Sequence, residues 1–174
     1  TYFGKIDILL YDKTPFHRAN FIYLTRQGYF NDTQFYRVID NFIIQGGNTD
    51  DSNVLRKRRE IGRYLLPTDT NHGLKHHRGV VSMPSRDVEN PHKLASPYQF
   101  FIVQKHDGAY HLDGNYTIFG EVISGMKVVD EIAKQSKNKQ RSLEQLLELT
   151  KRYYVTKKAE QINSQIKALS EEQE

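Results

Sequence analysis

The chain has 174 residues and a formal net charge of +4, and it contains neither cysteine nor tryptophan. This length accommodates one globular domain with a hydrophobic core and an additional segment. Without cysteine the chain can form neither a disulfide bond nor a thiolate metal site. The mild positive charge is normal for a solvated surface. No run of residues is long and apolar enough to cross a membrane.

The first two predicted elements are a strand and a helix. Residues 5–11 alternate between apolar and polar side chains, which predicts a half-buried strand. Thr14 and Pro15 form a typical helix start, a capping residue followed by proline at the first helical position. Apolar residues recur at helical spacing up to Leu24, and Gly28 stands where a glycine would end this helix.

Residues 35–39 and 42–46 predict two short strands joined at an Asp-Asn turn. Side chains of a strand alternate between its two faces, so Tyr36 is expected on the face opposite to Arg37. Arg37 and Gln45 project from strands that are otherwise apolar. An arginine in a half-buried sheet is costly unless it is paired or used, which makes Arg37 a candidate functional residue.

The stretch from residue 48 to residue 78 is polar and predicts a long surface loop, with at most one short strand near residues 64–66. It carries a basic run at residues 56–59. This run lacks interleaved aromatic residues and any recognised nucleic-acid-binding motif. A solvated loop is therefore the favoured interpretation, and no nucleic-acid partner is predicted.

Three histidines in the same stretch suggest a zinc site as an alternative. His72 and His76 are four residues apart, and His77 follows directly. However, no helix is expected here, and no third ligand follows at a typical spacing. Exposed loop histidines are the favoured interpretation, so no metal site is predicted.

The second half of the chain predicts three further strands at residues 80–83, 99–103 and 118–122. A proline-containing loop, residues 84–98, separates the first two. Gly125 then leads into a helix with one apolar face. Several short strands with only two helices favour an antiparallel barrel or sandwich.

From Ser142 onward the sequence contains no proline or glycine, and leucine and isoleucine recur through a long helical region. The apolar stripe weakens between Thr156 and Glu160, so one helix and two helices remain alternatives. Two roles also remain open: a helical extension packed on the rest of the chain, or an arm for oligomerisation or docking.

Several separated motifs occur in a consistent order. They are Phe35-Tyr36-Arg37-Val38-Ile39, Phe42-Ile43-Ile44-Gln45-Gly46-Gly47, Gly79-Val80-Val81-Ser82-Met83, Gln99-Phe100-Phe101-Ile102, Leu112-Asp113-Gly114 and Phe119-Gly120-Glu121-Val122. Together they resemble the cyclophilins, the barrel-shaped peptidyl-prolyl cis-trans isomerases. The resemblance extends over roughly residues 4–133, and the ordered succession makes it specific.

The resemblance implies a mainly β fold, a closed antiparallel β-barrel with two capping helices. Residues 1–135 would form this isomerase domain, and residues 136–174 a helical C-terminal extension. The family's usual final strand is not recognisable, so it either lies within residues 134–141 or is replaced by the helical tail covering that edge.

The implied activity is rotation about X-Pro peptide bonds to assist protein folding, without a cofactor or a metal. Arg37 resembles the family's catalytic arginine, and Gln45 the glutamine that orients it. The residues that resemble a substrate-binding surface are Phe42, Ile43, Met83, Pro84, Gln99, Phe101, His111, Leu112 and Tyr116. The implied partners are proline-containing segments of client proteins.

Three departures from the family pattern bear on this expectation. His111 stands where the family usually has tryptophan, the loop 84–98 is longer than usual, and Pro97-Tyr98 replaces a pair of small residues. A catalytically weak module that binds proline segments is therefore the alternative to an active enzyme.

A bacterial periplasm or cell envelope is the expected location, with the cytoplasm as the alternative. The start at Thr1 without methionine makes the lack of a signal peptide uninformative.

Overall fold

The computed structural model describes residues 1–85 and 90–135. Within them, six strands and three α-helices follow one another along the chain. The order is β1 (Asp7–Leu10), α1 (Pro15–Arg26), β2 (Arg37–Ile39), β3 (Ile43–Gly46), α2 (Ser52–Ile61), β4 (Val80–Met83), β5 (Phe100–Val103), a 3₁₀ turn (Tyr110–Leu112), β6 (Thr117–Ser124) and α3 (126–135). No helix of this described part has both the length and the apolar character needed to cross a bilayer.

The six strands form one antiparallel sheet in the order β1-β6-β4-β5-β3-β2. The predicted mainly β, antiparallel architecture is confirmed. The predicted closure of the barrel is wrong for the described residues, because β1 and β2 are edge strands and no ladder joins them. Residues 134–135, the first positions considered for a closing strand, belong to α3. The predicted helical tail from Ser142 lies outside the described residues.

The predicted first helix is confirmed, and local chemistry explains both of its ends. Thr14 is the N-cap residue, but its side chain makes no capping hydrogen bond, so the fixed backbone of Pro15 opens the helix. At the other end Gly28 adopts a positive φ of 61°. The backbone N–H of Tyr29 then bonds the carbonyl of Leu24 at 2.9 Å, which closes a Schellman motif.

Strands β2 and β3 form the predicted hairpin. Asn41 at the turn has a φ of 54°, a conformation that asparagine tolerates better than most residues. The hairpin register places Arg37 directly across from Gln45. Gly47 directly follows β3 with a φ of 90°, and a Cβ there would lie 2.2 Å from the carbonyl oxygen of Tyr98. Only glycine fits at this close approach of two backbones.

Helix α2 was not expected, because its region was predicted to be a loop. The Asp51 side chain caps the helix by accepting hydrogen bonds from the backbone N–H groups of Asn53 and Val54, at 2.9 and 3.1 Å. Val54 is the one fully buried residue of the helix, so its sequence shows little apolar periodicity. The strand predicted near residues 64–66 is reduced to an isolated bridge between Leu66 and Ala95.

The sheet carries an apolar cluster on each of its two faces. Alternation along β5 explains this arrangement, because Ile102 belongs to one cluster while Phe101 and Val103 belong to the other. The first cluster also holds the buried residues of α3, Val129, Ile132 and Ala133. The second cluster, which includes Phe101, lies beside the candidate site described below.

His17 on α1 is a polar residue inside the hydrophobic interior. It is fully buried, and neither ring nitrogen has a hydrogen-bond partner among the described residues. Burial disfavours the charged imidazolium and lowers the pKa of His17 from 6.5 to about 4. The folded chain therefore holds this histidine neutral at pH values where the unfolded chain would protonate it.

We predict that acidification destabilises the protein partly through His17. Below pH 6.5 the unfolded chain binds a proton that the folded chain refuses, so stability falls as the pH drops toward about 4. This one group contributes a loss of about 3 kcal/mol over that window. Urea unfolding at pH 7 and pH 4.5 should show a smaller pH-dependent loss in His17→Leu than in the wild type. Equal losses in the two proteins would contradict the assignment.

Candidate active site

Most of the predicted site residues line one cleft. Nine of the eleven do so: Arg37, Phe42, Ile43, Gln45, Pro84, Gln99, Phe101, Leu112 and Tyr116. The cleft has a volume of about 1400 Å³. This is larger than a typical small-molecule pocket of roughly 300–1,000 Å³. The size suits an extended segment of another chain better than a small ligand.

The polar side of the cleft is organised around the Arg37–Gln45 pair. Nη1 of Arg37 donates to Oε1 of Gln45 at 3.3 Å. Arg37 is exposed, whereas Gln45 is buried. The amide nitrogen of Gln45 donates to the hydroxyl of Tyr36 at 2.5 Å and lies 3.3 Å from Oε1 of Gln99. These bonds fix the amide so that its oxygen faces the guanidinium.

Tyr36 is a site residue that the sequence analysis missed. It precedes β2, so strand alternation does not govern its side chain, and its hydroxyl reaches Gln45 instead of the opposite face. The hydroxyl also donates to Oε1 of Gln99 at 3.0 Å. Burial raises the pKa of Tyr36 above its ordinary value of 10.0, and the phenol is protonated at neutral pH with or without this shift.

The apolar side of the cleft is built from two strands and the turn before β6. Phe101 and Ile43 are buried at its base, while Leu112 and Tyr116 are half-buried. The ring of Tyr116 meets that of Phe101 edge to face, with centroids 5.8 Å apart. An arginine-glutamine pair and an aromatic-lined apolar surface therefore share one cleft.

Two predicted substrate-binding residues do not line the cleft. Met83 is fully buried in the opposite apolar cluster, because alternation along β4 places it on the same face as Val81. His111 is exposed on the 3₁₀ turn and stacks on Phe42, with centroids 5.5 Å apart. His111 therefore contacts a residue of the cleft lining, Phe42, without being part of the lining itself.

Comparison with known proteins decides the family. Residues 1–152 match the family model described as cyclophilin type peptidyl-prolyl cis-trans isomerase. The chain belongs to this family. The cleft therefore lies in a cyclophilin domain, and the match spans both the described strands and the arginine-glutamine pair.

Named relatives agree with this membership. A peptidyl-prolyl cis-trans isomerase of Acinetobacter baylyi is 36% identical over 137 residues, covering 76% of this chain and 69% of its own length. Isomerase B of Escherichia coli is 34% identical over 127 residues, 70% of this chain and 73% of the relative. An isomerase-like 2 protein of Rhizopus delemar is 38% identical over 134 residues, 76% of this chain but only 24% of that longer protein.

A solved structure supports the same fold. The crystal structure of a Cryptosporidium parvum cyclophilin, determined in the presence of the dipeptide Ala-Pro, superposes with a TM-score of 0.59. It is 30% identical in sequence, and the match covers 75% of this chain and 80% of that one.

In this cyclophilin domain a buried histidine supports the floor of the cleft. His76 is fully buried, which corrects the expectation of an exposed loop histidine; His72 and His77 are exposed as expected. Its Nδ1 lies 2.8 Å from Oδ1 of Asp113, which also accepts the backbone N–H of His76 at 2.8 Å. The imidazole is nearly parallel to the ring of Phe101, at 13° and 6.0 Å.

The charges of this pair follow from its surroundings. Burial lowers the pKa of His76, and its hydrogen bond to Asp113 offsets only part of that effect, so the ring is neutral. For Asp113, burial alone would raise the pKa, but hydrogen bonds from His76 and Lys75 outweigh burial and lower it. Nδ1 of His76 therefore carries the proton of the neutral ring and donates a hydrogen bond to the carboxylate of Asp113.

The hydroxyl of Ser82 lies 3.2 Å from Nε2 of His76, which completes a serine-histidine-aspartate set. This set cannot attack a substrate, because Ser82 is fully buried and its hydroxyl donates its one proton to the carbonyl of Thr117 at 2.9 Å. Elsewhere in residues 1–85 and 90–135, no three His, Cys, Asp or Glu side chains gather in a way that could hold a metal ion.

The side of the cleft formed by α2 and the segment after it was also missed. Leu55, Arg58 and Arg59 line the cleft from the helix, and Arg63 and Tyr64 line it from the chain that follows. The sequence analysis placed this basic run in a solvated loop. Asp51, a good capping residue before a run of helix-forming residues, was the signal that could have revealed it.

We predict that His76→Ala destabilises the domain by about 2–4 kcal/mol, because it leaves a void beneath Phe101 and removes a partner of Asp113. The matched control is His72→Ala, since His72 also pairs with an aspartate, Asp69, but is exposed. Chemical unfolding should show a much smaller loss for the control. Similar losses for both variants would show that His76 does not support the cleft.

Proposed function

We propose that this chain is a peptidyl-prolyl cis-trans isomerase that rotates X-Pro bonds within the described cleft and thereby assists protein folding. One observation carries the proposal: the guanidinium of Arg37, held by Gln45, shares a cleft with the apolar side chains of Phe101 and Leu112. Family membership supports the reaction class, and this arrangement supports the cleft as the proposed site of the reaction.

The reaction explains why such a site needs no acid-base pair. The barrier to rotation is about 18–20 kcal/mol, because the amide C–N bond has partial double-bond character. No proton leaves and no covalent bond breaks during rotation. The site therefore needs a surface for the proline ring, donors that hold the chain on either side, and a group that stabilises the twisted amide.

Arg37 is suited to stabilise the twisted amide. When the bond rotates, resonance is lost and the prolyl nitrogen regains a lone pair that can accept a hydrogen bond. A donor aimed at this lone pair stabilises the transition state more than either ground state. Arg37 is exposed, and Gln45 is its one side-chain partner among the described residues, so its other N–H groups are open to a bound segment.

The remaining cleft residues are proposed to hold the substrate. The rings of Phe101 and Tyr116, with Leu112 and Ile43, provide an apolar surface for proline. Gln99 and Pro84 line the cleft where the flanking chain would pass. Phe42 lies at the rim with His111 stacked on it, and Met83 supports the sheet from its other face.

Partners and domain boundaries complete the proposal. The Cryptosporidium cyclophilin was crystallised with a proline-containing dipeptide, which supports proline segments of client proteins as the partner class. We assign the isomerase activity to residues 1–135. A docking or oligomerisation role for residues 136–174 stays a prediction.

We predict that Arg37→Ala lowers kcat/KM for an X-Pro peptide by about a hundredfold, the usual cost of removing a donor to a transition state. Arg26→Ala, an exposed arginine in the last turn of α1, is the matched control and should retain activity. A proline isomerisation assay on the three proteins provides the measurement. Equal activity of Arg37→Ala and the wild type would remove Arg37 from the mechanism. No turnover by the wild type, with peptide binding intact, would favour the proline-binding module.

We predict that Tyr36→Phe lowers kcat/KM about fivefold, because the amide of Gln45 loses a hydrogen bond worth about 1 kcal/mol and holds Arg37 less firmly. In an Arg37→Ala background the same change should have almost no further effect, since both act on one group. Tyr23→Phe, at an exposed position of α1, serves as the control. Additive losses in the double variant would contradict this coupling.

A further inference from the structure

The cleft is unusually cationic. Among the described residues that line it there are four arginines, Arg37, Arg58, Arg59 and Arg63, and no aspartate or glutamate. Rotation about an X-Pro bond calls on a single guanidinium, so the other three have no part in the proposed reaction. Their charge makes this side of the cleft attractive to anions.

Three of these arginines come from α2 and the residues after it. Leu55, Arg58 and Arg59 stand at helical spacings of three and four, so they share the face of α2 that lines the cleft. The guanidinium of Arg58 lies over the ring of Tyr98, 4.8 Å from its centroid, which fixes its place in the cleft wall. Gly62, with a φ of 102°, ends the helix and leads to Arg63.

Other cations of the same helix point elsewhere and are already engaged. Nζ of Lys57 donates to the carbonyl of Gly28 at 3.0 Å, and Arg56 lies 3.9 Å from a carboxylate oxygen of Glu60. By contrast, no ion pair within the described part of the chain involves the cleft arginines Arg59 or Arg63. Helix α2 therefore carries paired cations, Lys57 and Arg56, outside the cleft lining, and Arg59, which has no ion pair among the described residues, within it.

We call the side of the cleft that carries Arg58, Arg59 and Arg63 the arginine wall. We propose that this wall selects proline-containing segments that carry an anionic side chain, a carboxylate or a phosphate, near the proline. The inference rests on the proposed isomerase function and names its substrate class. The wall also contains apolar side chains, Leu55 and Leu65, that a peptide can cover. Its two tyrosines are engaged within the protein, Tyr98 beneath Arg58 and Tyr64 donating to Asn20 at 2.6 Å. Tyr98 is buried and Tyr64 is half-buried against it, edge to face at 5.7 Å, so the described residues of this wall offer a nucleic acid no fully exposed tyrosine ring for base stacking.

The test uses peptides with one Ala-Pro bond that differ at a single residue, Glu, phosphoserine, Gln or Lys, placed in turn two to four residues from the proline on either side. At low salt the wild type should turn over the best-placed Glu peptide about tenfold faster, by kcat/KM, than its Gln counterpart. The phosphoserine arm distinguishes phosphate from carboxylate as the preferred anion. The preference should shrink at 0.5 M salt, because exposed charges are screened.

Variants of the wall connect this preference to the named residues. Arg59→Gln combined with Arg63→Gln should bring the Glu-to-Gln ratio close to one, and Arg59→Glu with Arg63→Glu should favour the Lys peptide instead. Arg56→Gln, on the same helix but outside the cleft lining, should keep the wild-type ratio. Unfolding midpoints of all variants establish that they are folded.

The possible failures are distinguishable. If the wild type turns over no peptide of the series, the proposed function itself fails. If it turns over all peptides with a ratio of one, the isomerase stands and the anionic preference is overturned. A single-stranded RNA that displaces the Glu peptide at lower concentration than a polyglutamate peptide of equal charge would also overturn it.

Discussion

The site depends on one cross-strand pair, Arg37 opposite Gln45. The hairpin between β2 and β3 sets this register, and the hydrogen bond from guanidinium to amide gives the arginine a defined direction. Because strand side chains have a period of two, a slip of one residue would send Arg37 to the other face of the sheet. Gly47 holds the end of the hairpin against the backbone of Tyr98, where no side chain fits. Backbone geometry thus fixes the polar half of the cleft before any substrate arrives.

The apolar half depends on a buried polar contact. His76 stays neutral, bonds Asp113 and lies flat against Phe101, so the residues before β4 and after the 3₁₀ turn are joined beneath the cleft. A polar group that is paired in an apolar interior favours one arrangement over many, because a shift would leave the Nδ1 donor of His76 and the Asp113 carboxylate unsatisfied. The two halves therefore stay rigid for different reasons, one through strand pairing and one through a charged hydrogen bond.

The sequence predicted those features that local patterns encode, such as the six strands, the ends of α1 and nine residues of the cleft. It failed where long-range contacts decide. Helix α2 buries only Val54, so apolar periodicity could not reveal it. The burial of His76 requires Asp113, 37 residues further along the chain. Tyr36 reaches Gln45 because it lies just outside the β2 ladder, and strand alternation applies only within a ladder. In the described residues the edge strands β1 and β2 do not pair with each other. The alternation of apolar and polar residues within a strand does not predict whether a sheet closes.

Helix α2 buries only Val54 and otherwise contacts the domain through its ends and the side chains of Lys57 and Arg58, yet it contributes a wall of the cleft. Substitutions on its exposed face therefore carry a small folding penalty, since surface changes away from packed contacts usually alter stability by less than about 0.5 kcal/mol. The residues proposed to select clients and the residues proposed to carry out the reaction can consequently change at different rates in evolution. Under the proposed function, new clients can be acquired by altering one peripheral helix, while the hairpin that carries Arg37 and Gln45 is left intact.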